Sequence, residues 1–248
     1  MATVLESRAS VSTRLPGRKY DRYFFSGMVF LILVVVAVGF APKYYLAGVF
    51  RAPLPNPIIH VHAVVFSAWI LLLAVQTGLI SAHRVALHRT LGLAGFCLAV
   101  LVPIVGFLAM ASQLHFRADR GVGMLTFSAV SFEGMLLFTV FAAMGYATRK
   151  RDLAAHKRYI LLATLALVDA ALFRLPIPFL HRQFNHDFLA IDSLVVIMAV
   201  YDFWSTRRVY RATLWGGVFM VIVEQLTIPL GSTAAWHTFD RWIQSWQL

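Results

Sequence analysis

Two histidines occupy matching places in two short stretches that align without gaps. The stretches are Val85-Ala-Leu-His88-Arg89 and Leu153-Ala-Ala-His156-Lys157, and each follows a basic segment and opens a long apolar run. A pair of imidazoles on facing helices can hold the iron of a b-type haem. We therefore treat His88 and His156 as candidate ligands of a metal or of haem b. The neighbouring cations are candidate partners of the haem propionates: Arg84, Arg89, Lys157 and Arg158.

The helical faces that carry these histidines contain many small residues. The His88 face continues through Gly92, Gly95, Ala99 and Gly106, and the His156 face continues through Ala163, Leu167, Ala170 and Arg174. Such strips could leave a slot for a flat tetrapyrrole. Small residues at this spacing also let bare helices pack closely in lipid, and an interfacial histidine often only hydrogen-bonds a neighbour. Both interpretations stay open on the sequence.

A second group of ionisable residues lies deeper in the apolar runs. Glu133, Asp169 and Glu224 fall near the middle of their runs, with Arg174 nearer one end and His62 early in another run. A charge at the bilayer centre costs about 2.5 kcal/mol or more, so these groups should face the protein interior and pair. We expect an ion pair between Arg174 and one carboxylate. The remaining carboxylates could, with His62, form a proton path or bind a cation.

The apolar composition predicts that these residues lie on membrane-spanning helices. The chain has 248 residues, of which 60% are hydrophobic and 13% charged, and its mean hydropathy is +0.74. The net charge of +11 favours a phospholipid surface over nucleic acid, because the basic residues flank apolar runs. Spans of about 20 apolar residues predict an all-α transmembrane bundle of about seven helices. They are 24–41, 58–80, 90–112, 123–147, 158–177, 187–204 and 213–230.

The basic residues also predict the orientation of the bundle. With the N-terminus inside, fifteen of the 22 Lys and Arg residues fall in inner segments, six fall outside and Arg174 lies within a span. This distribution follows the positive-inside rule and predicts an N-in, C-out, multi-pass protein of the bacterial inner membrane. We expect a cytoplasmic tail over 1–23, an uncleaved first helix, a bundle over 24–230 and a short external segment over 231–248.

The two matched stretches further suggest an internal repeat. They are 68 residues apart, so helices two–three and four–five are predicted to be copies of one hairpin. Parallel repeats imply a pseudo-two-fold axis along the membrane normal. His88 and His156 would then lie at one depth near the cytoplasmic surface.

Motifs of soluble enzymes are missing from the sequence. It contains no P-loop, no Gly-x-Ser-x-Gly elbow, no His-Glu-x-x-His zinc helix and no Rossmann fingerprint. The seventh predicted helix has no histidine, which excludes hydrolases that bind zinc there. The sequence therefore favours a protein without enzymatic activity.

Several motifs together resemble a widespread family of uncharacterised bacterial polytopic membrane proteins. They are His60-x-His62, Trp69, Gln76, Leu87-His88-Arg89-Thr-Leu-Gly92, Ala155-His156-Lys157-Arg158, Tyr201-Asp202 and Thr213-Leu-Trp-Gly-Gly217. The resemblance covers about residues 56 to 238 and implies topology without an activity. The arrangement also looks like the four-helix cores of b-type cytochromes, which implies at most one haem here, since the fourth helix lacks a histidine.

Three functions are consistent with these features. The first is a single-haem electron carrier or a redox-linked accessory subunit that uses His88 and His156. The second is a small transporter or proton-coupled channel that uses the buried carboxylates and His62. The third is a membrane scaffold or assembly factor without chemistry. The expected partners are membrane lipid and a redox or transport partner in the membrane.

Overall fold

The computed structural model describes residues 18–53, 55–116, 122–177 and 185–246, and every regular element in these ranges is helical. The predicted all-α helical bundle is therefore confirmed. Most of the predicted cytoplasmic tail, 1–17, lies outside the described residues. The helices are α1 Arg18–Phe40, α2 Ala47–Phe50, α3 Pro57–Ser81, α4 Val85–Phe116, α5 Val122–Thr148, α6 Leu153–Leu165, α7 Asp169–Leu172, α8 Asn185–Thr206, α9 Arg211–Gly231 and α10 Ala234–Gln244, and a π-helical turn, Ala41–Tyr45, continues α1.

Several of these helices begin where the local sequence provides an N-cap. Asn56 accepts a hydrogen bond from the backbone of Ile59 at 3.0 Å, and Pro57 supplies the first residue of α3. Asp152 caps α6 by accepting from the backbone amides of Ala154 and Ala155. Thr233 does the same for α10. Each cap satisfies amides that the first helical turn leaves without an intrahelical acceptor.

Six helices of the described ranges are long and apolar enough to cross a membrane. They are Tyr20–Tyr45, Pro57–Ser81, Val85–His115, Ser128–Thr148, Phe188–Thr206 and Arg211–Gly231. The predicted span 158–177 is different, because α6 ends at Leu165 and α7 is a separate helix of four residues. Six continuous helices and one broken one thus replace seven continuous helices.

The break between α6 and α7 contains neither glycine nor proline. Leu167 and Val168 instead donate to carbonyls three residues earlier, those of Thr164 and Leu165, each at 3.0 Å. Neighbouring helices approach closely on both sides of the break. A Cβ at Gly134 of α5 would lie 2.8 Å from the Ala166 carbonyl oxygen, and one at Gly39 of α1 would clash with the Ala171 carbonyl. Tertiary packing, rather than local propensity, therefore accommodates this irregular backbone.

Contacts between helix ends show which segments share one end of the bundle. Asp21, at the start of α1, binds Lys157 of α6 and accepts a hydrogen bond from Tyr201 of α8 at 2.7 Å. Ser26 of α1 lies 3.3 Å from Ser81 at the end of α3. The basic segments around 18–22, 84–89, 149–158 and 207–211 therefore lie at one end, which we call the basic end. This grouping agrees with the predicted sidedness of the loops.

The opposite end is formed by the starts and ends of other helices. Asn56 donates to the Ser112 hydroxyl at 2.7 Å, which joins the start of α3 to the end of α4. Arg174, just after α7, lies 4.7 Å from the ring of Phe40 at the end of α1. Since α6 begins at the basic end, the broken segment α6–α7 runs from one end of the bundle to the other.

The core lies around α6, which packs against α5 and α9. Its residues Leu162 and Ala163 are fully buried, and they join the main hydrophobic core with Phe138 of α5 and Met198 of α8. By contrast, many large apolar side chains of the long helices are exposed on the outside of the bundle, including Phe30, Val200 and Trp215. Exposed apolar surface of this kind is typical of helices that face lipid.

Both predicted repeat units are present as packed helical hairpins. α3 packs against α4 and α5 packs against α6, and each candidate histidine is the fourth residue of its helix. The second helices differ in length, because α4 has 32 residues whereas α6 has 13. The rotational relationship between the two hairpins stays a prediction.

Candidate functional site

A cavity of about 670 Å³ lies at the end of the bundle away from the basic end. Its walls come from the end of α1, the π-helical turn, α3, α4, α5 and the α6–α7 break. The polar residues that carry our argument are Lys43, Tyr44, His62, Asp169 and Arg174. The volume lies in the usual range for small-molecule sites, about 300–1,000 Å³. We call it the outer cavity.

The π-helical turn places three long side chains on the wall of the outer cavity. Pro42 stands near its start, and Lys43, Tyr44 and Tyr45 follow. The Tyr45 hydroxyl lies 2.8 Å from the Ser67 hydroxyl, and the Tyr44 hydroxyl lies 3.2 Å from His60 Nδ1. These contacts fix the turn against α3. π-helical turns are rare and frequently occur at functional sites.

Arg174, Asp169 and His62 meet on another part of this wall. The Arg174 guanidinium packs over the Phe40 ring and donates to the Ala170 carbonyl. Its charge acts on both Asp169 and His62. The His62 imidazole packs on Phe66 with ring centroids 4.0 Å apart. Within the part of the chain that the structure describes, His62 Nδ1 is buried without a hydrogen-bond partner.

Further carboxyl groups lie behind this wall. Glu133 of α5 interacts with Asp169, and Glu224 of α9 interacts with both of them. Glu133 is 6% exposed and Glu224 is 1% exposed. The structure thus brings together the predicted polar cluster of His62, Glu133, Asp169, Arg174 and Glu224.

Asp192 of α8 is an additional member that the sequence interpretation did not place there. Its carboxyl group lies close to that of Glu224, and Asp192 falls within the sixth predicted span, 187–204. The other oxygen of Glu224, Oε2, has no hydrogen-bond partner among the described residues. The carboxyl groups of buried Glu224 and half-buried Asp192 therefore form a pair between α8 and α9.

Trp69 separates the outer cavity from the basic end. It is 6% exposed, and its indole donates to the Thr164 hydroxyl of α6 at 3.2 Å. Its ring lies 4.9 Å from the Phe138 ring in an edge-to-face arrangement. Phe66, three residues earlier on the same helix face, still lines the cavity. Trp69 and Phe138 do not line the cavity themselves. They pack beyond Phe66 toward the basic end, and we call these two rings the apolar floor.

His88 and His156 lie together beyond this floor, close enough for their charges to interact. His156 Nδ1 lies 2.8 Å from the Gly145 carbonyl oxygen, and His88 lies near the backbone of Gln76. His88 Nδ1 is buried and has no partner among the described residues. His156 therefore keeps one ring nitrogen on a backbone carbonyl, as ligand histidines commonly do.

The small residues near His88 face a different helix from the expected one. A Cβ at Gly92 would lie 3.6 Å from the Gln76 amide, and one at Gly95 would lie 3.0 Å from Leu72. Both neighbours belong to α3. Gly92 and Gly95 thus pack against α3 rather than opening toward α6, whereas Gly106 faces Met135 of α5 and Leu167 lines the outer cavity.

The predicted propionate partners divide into two groups. Arg84 and Arg89 are exposed at the basic end. Arg158 is 1% exposed and pairs with Asp202, donating from Nε at 3.1 Å and from Nη2. Its Nη1 donates to the Ala154 carbonyl at 2.8 Å. Arg158 is thus fully engaged inside the protein.

The described residues contain no group of three or more His, Cys, Asp or Glu side chains that could hold a metal ion. Comparison with known proteins finds no matching family model, no matching curated protein and no matching solved structure.

Proposed function

We propose that the protein is a transporter of the bacterial inner membrane that couples movement of a small molecule to movement of protons. The outer cavity would hold the transported molecule, and the carboxyl groups behind it would hold the protons. This function unites more of the buried polar residues than any other, because it uses His62, Asp169 and Arg174 together with the deeper acids.

The contact between the carboxyl groups of Asp192 and Glu224 carries this proposal. An ionised carboxylate only accepts hydrogen bonds, so two carboxyl groups can share one only when one of them holds a proton. In the proposed transport cycle, this pair would take up and release the coupled proton. Ionisable groups at such depth commonly mark proton relays in pumps and transporters.

The broken segment α6–α7 supports the same function. Ala166, Leu167 and Asp169 at the break all line the outer cavity. Non-helical backbone at membrane depth is tolerated where protein buries it or where it lines a cavity. In secondary transporters, discontinuous helices form the substrate and ion sites. The apolar floor at Trp69 would keep the cavity closed toward the basic end in the state described here.

Transport can be tested with the full-length protein in liposomes loaded with a pH-sensitive dye. Small organic acids, amines and neutral solutes are added outside under an imposed proton gradient. We expect at least one class to cause solute-dependent proton movement, and Glu224→Gln to abolish it. Glu224→Asp, which keeps a carboxyl group, should retain part of the activity. Glu6→Gln, a change in the predicted cytoplasmic tail, is the control and should behave like wild type.

A haem-binding electron carrier is the second candidate function, and the proximity of His88 and His156 favours it. His156 has one ring nitrogen engaged by the Gly145 carbonyl, which would leave the other to bind iron. His88 Nδ1 has no partner among the described residues. The packing of Gly92 and Gly95 on α3 and the pairing of Arg158 with Asp202 leave fewer groups for the porphyrin than expected. A dithionite-reduced absorbance spectrum of protein from haem-replete cells tests it, with His88→Ala and His156→Ala as variants. A scaffold would show neither haem nor transport.

A further inference from the structure

The charged groups on the wall of the outer cavity are not balanced. Among the described residues that line it, Lys43 and Arg174 are cationic and Asp169 is acidic, while Glu133, Asp192 and Glu224 lie behind the wall. The charge of Arg174 acts on Asp169, so this pair is partly self-compensated. Lys43 then leaves the wall with an excess of positive charge, which would attract an anion.

The apolar part of the wall is also extensive. Phe40, Phe66, Ile70 and Phe173 line the cavity beside the polar groups. Phe40 lies under the Arg174 guanidinium, and Phe66 lies against the His62 imidazole. Arg174 and His62 are thus each packed against an aromatic ring of the cavity wall. A ligand with one charged end and an apolar body would match this layout.

We infer that the outer cavity binds an amphipathic carboxylate, with its carboxylate at Arg174 and its apolar body among Phe66, Ile70 and Phe173. The inference rests on the proposed transport function and names its substrate class. The planar guanidinium can bind both carboxylate oxygens, because its donors form a fixed fork. Lys43 adds a second positive charge at the π-helical turn. His62 Nδ1, buried without a partner in the described residues, supplies a further polar atom on the wall.

Binding can be measured by calorimetry with the purified full-length protein in detergent. The probes are butanoate, hexanoate, octanoate and hexadecanoate. Hexylamine and hexanamide are controls that match hexanoate in chain length but lack the carboxylate. We expect saturable binding of a carboxylate, and binding of hexylamine and hexanamide weaker by about tenfold or more. Preference for hexanoate or octanoate would indicate a small free acid, and preference for hexadecanoate would indicate a lipid-derived fatty acid.

Variants locate the carboxylate. Arg174→Gln should weaken binding of the preferred acid by about tenfold or more, and Arg174→Lys should weaken it less. Lys43→Gln, at the cavity wall, should weaken it several-fold, which keeps the test valid if Arg174→Gln does not fold. Arg208→Gln is the control, because Arg208 is exposed at the basic end and its substitution should leave binding unchanged.

The inference is overturned if hexylamine or hexanamide binds as tightly as hexanoate, or if no acid of any length binds the folded protein. It is also overturned if Lys43→Gln and Arg174→Gln both bind like wild type. Carboxylate binding without any proton movement in liposomes would instead contradict only the proposed transport. Proton-coupled movement of an amine, without carboxylate binding, would contradict only the substrate class.

Discussion

Arg158 and Asp202 form an ion pair inside the bundle, with side chains 1% and 0% exposed. The pair joins α6 to α8, and the Asp202 carboxylate also accepts from the Thr213 hydroxyl at 2.5 Å and from the Tyr210 amide at 3.3 Å. The Arg158 guanidinium lies 3.7 Å from the Tyr210 ring centroid. The helices α6, α8 and α9 therefore meet at this ion pair, and the Asp202 carboxylate has hydrogen-bond donors from α6 and α9.

Breaking this pair on one side should destabilise the protein strongly. Arg158→Leu leaves the Asp202 carboxylate buried without its cation, which costs about 3–5 kcal/mol. The double variant Arg158→Leu with Asp202→Leu should lose less, because no buried charge is stranded. Thermal unfolding in detergent measures both, with Arg89→Leu at the exposed basic end as the control. Equal losses in the single and double variants would show that the charge itself is unimportant.

Gly39 and Gly27 of α1 should respond differently to the same substitution. A Cβ at Gly39 would meet the backbone carbonyl of Ala171, whereas a Cβ at Gly27 would meet nothing within 4 Å. Gly39→Ala should therefore separate α1 from α7 and cost about 1–3 kcal/mol. Gly27→Ala should be neutral or stabilise by up to about 1 kcal/mol, because alanine favours helix. Similar unfolding temperatures for the two variants would contradict the close contact of α1 with α7.

The positive-inside distribution predicts the absolute orientation. A reporter fused near Arg151 should read cytoplasmic, and one fused after Leu248 should read periplasmic. The structure groups the basic segments at one end through Asp21, Lys157 and Tyr201, so their loops should share one side. The reverse result at both positions would show that the protein has the opposite orientation in the membrane. A cytoplasmic reading at Leu248 alone would mean that the segment α6–α7 does not cross.

Much of the fold followed from composition and from the placement of basic residues. Apolar runs predicted the long helices, and the Asn56 and Asp152 caps agree with where α3 and α6 begin. The break after Leu165 could not be predicted, because it depends on the approach of Gly39 and Gly134 from distant helices.

Only part of the candidate site was predictable, because some of its contacts depend on which helices are neighbours. Glu133, Asp169 and Glu224 lie in apolar runs, and an intramembrane carboxylate must face the interior. Their place in a shared polar cluster was therefore predictable from the sequence. The engagement of Arg158 by Asp202 and the contact of Asp192 with Glu224 depend on which helices are neighbours. Helical phase in one sequence does not contain that information.

The attachment of α10 should depend on pH through Asp240. This residue lies outside the membrane-spanning helices and is fully buried, and its carboxyl accepts from the Ser128 hydroxyl at 2.6 Å. Burial raises the pKa of Asp240, against the opposing effects of Ser128, His237 and Trp236. A raised pKa stabilises the attached state below the unfolded value of about 3.9, and this contribution is lost as the pH rises through the higher folded value.

Hydrogen exchange over residues 234–244, corrected for the intrinsic rate at each pH, measures this effect. Protection should fall as the pH rises from acid in the wild type. Asp240→Asn should stay protected across the same range, because the amide does not titrate. His237→Gln separates the contribution of the neighbouring imidazole. A wild-type profile that is flat, or that rises with pH, would contradict the predicted sign.

Trp69 should act as the barrier between the outer cavity and the basic end. Trp69→Ala removes the ring that packs on Phe138 and should increase the passive proton leak of liposomes that contain the protein. Trp69→Phe keeps a ring but loses the hydrogen bond to Thr164, so it should cost about 1 kcal/mol in stability with little added leak. Trp215→Ala is the matched control, because Trp215 is 65% exposed on the outside of α9. If Trp215→Ala leaks as much as Trp69→Ala, the leak arises from general loosening of the bundle. If neither variant leaks, the barrier lies elsewhere, and the inner histidines His88 and His156 would be the next positions to test.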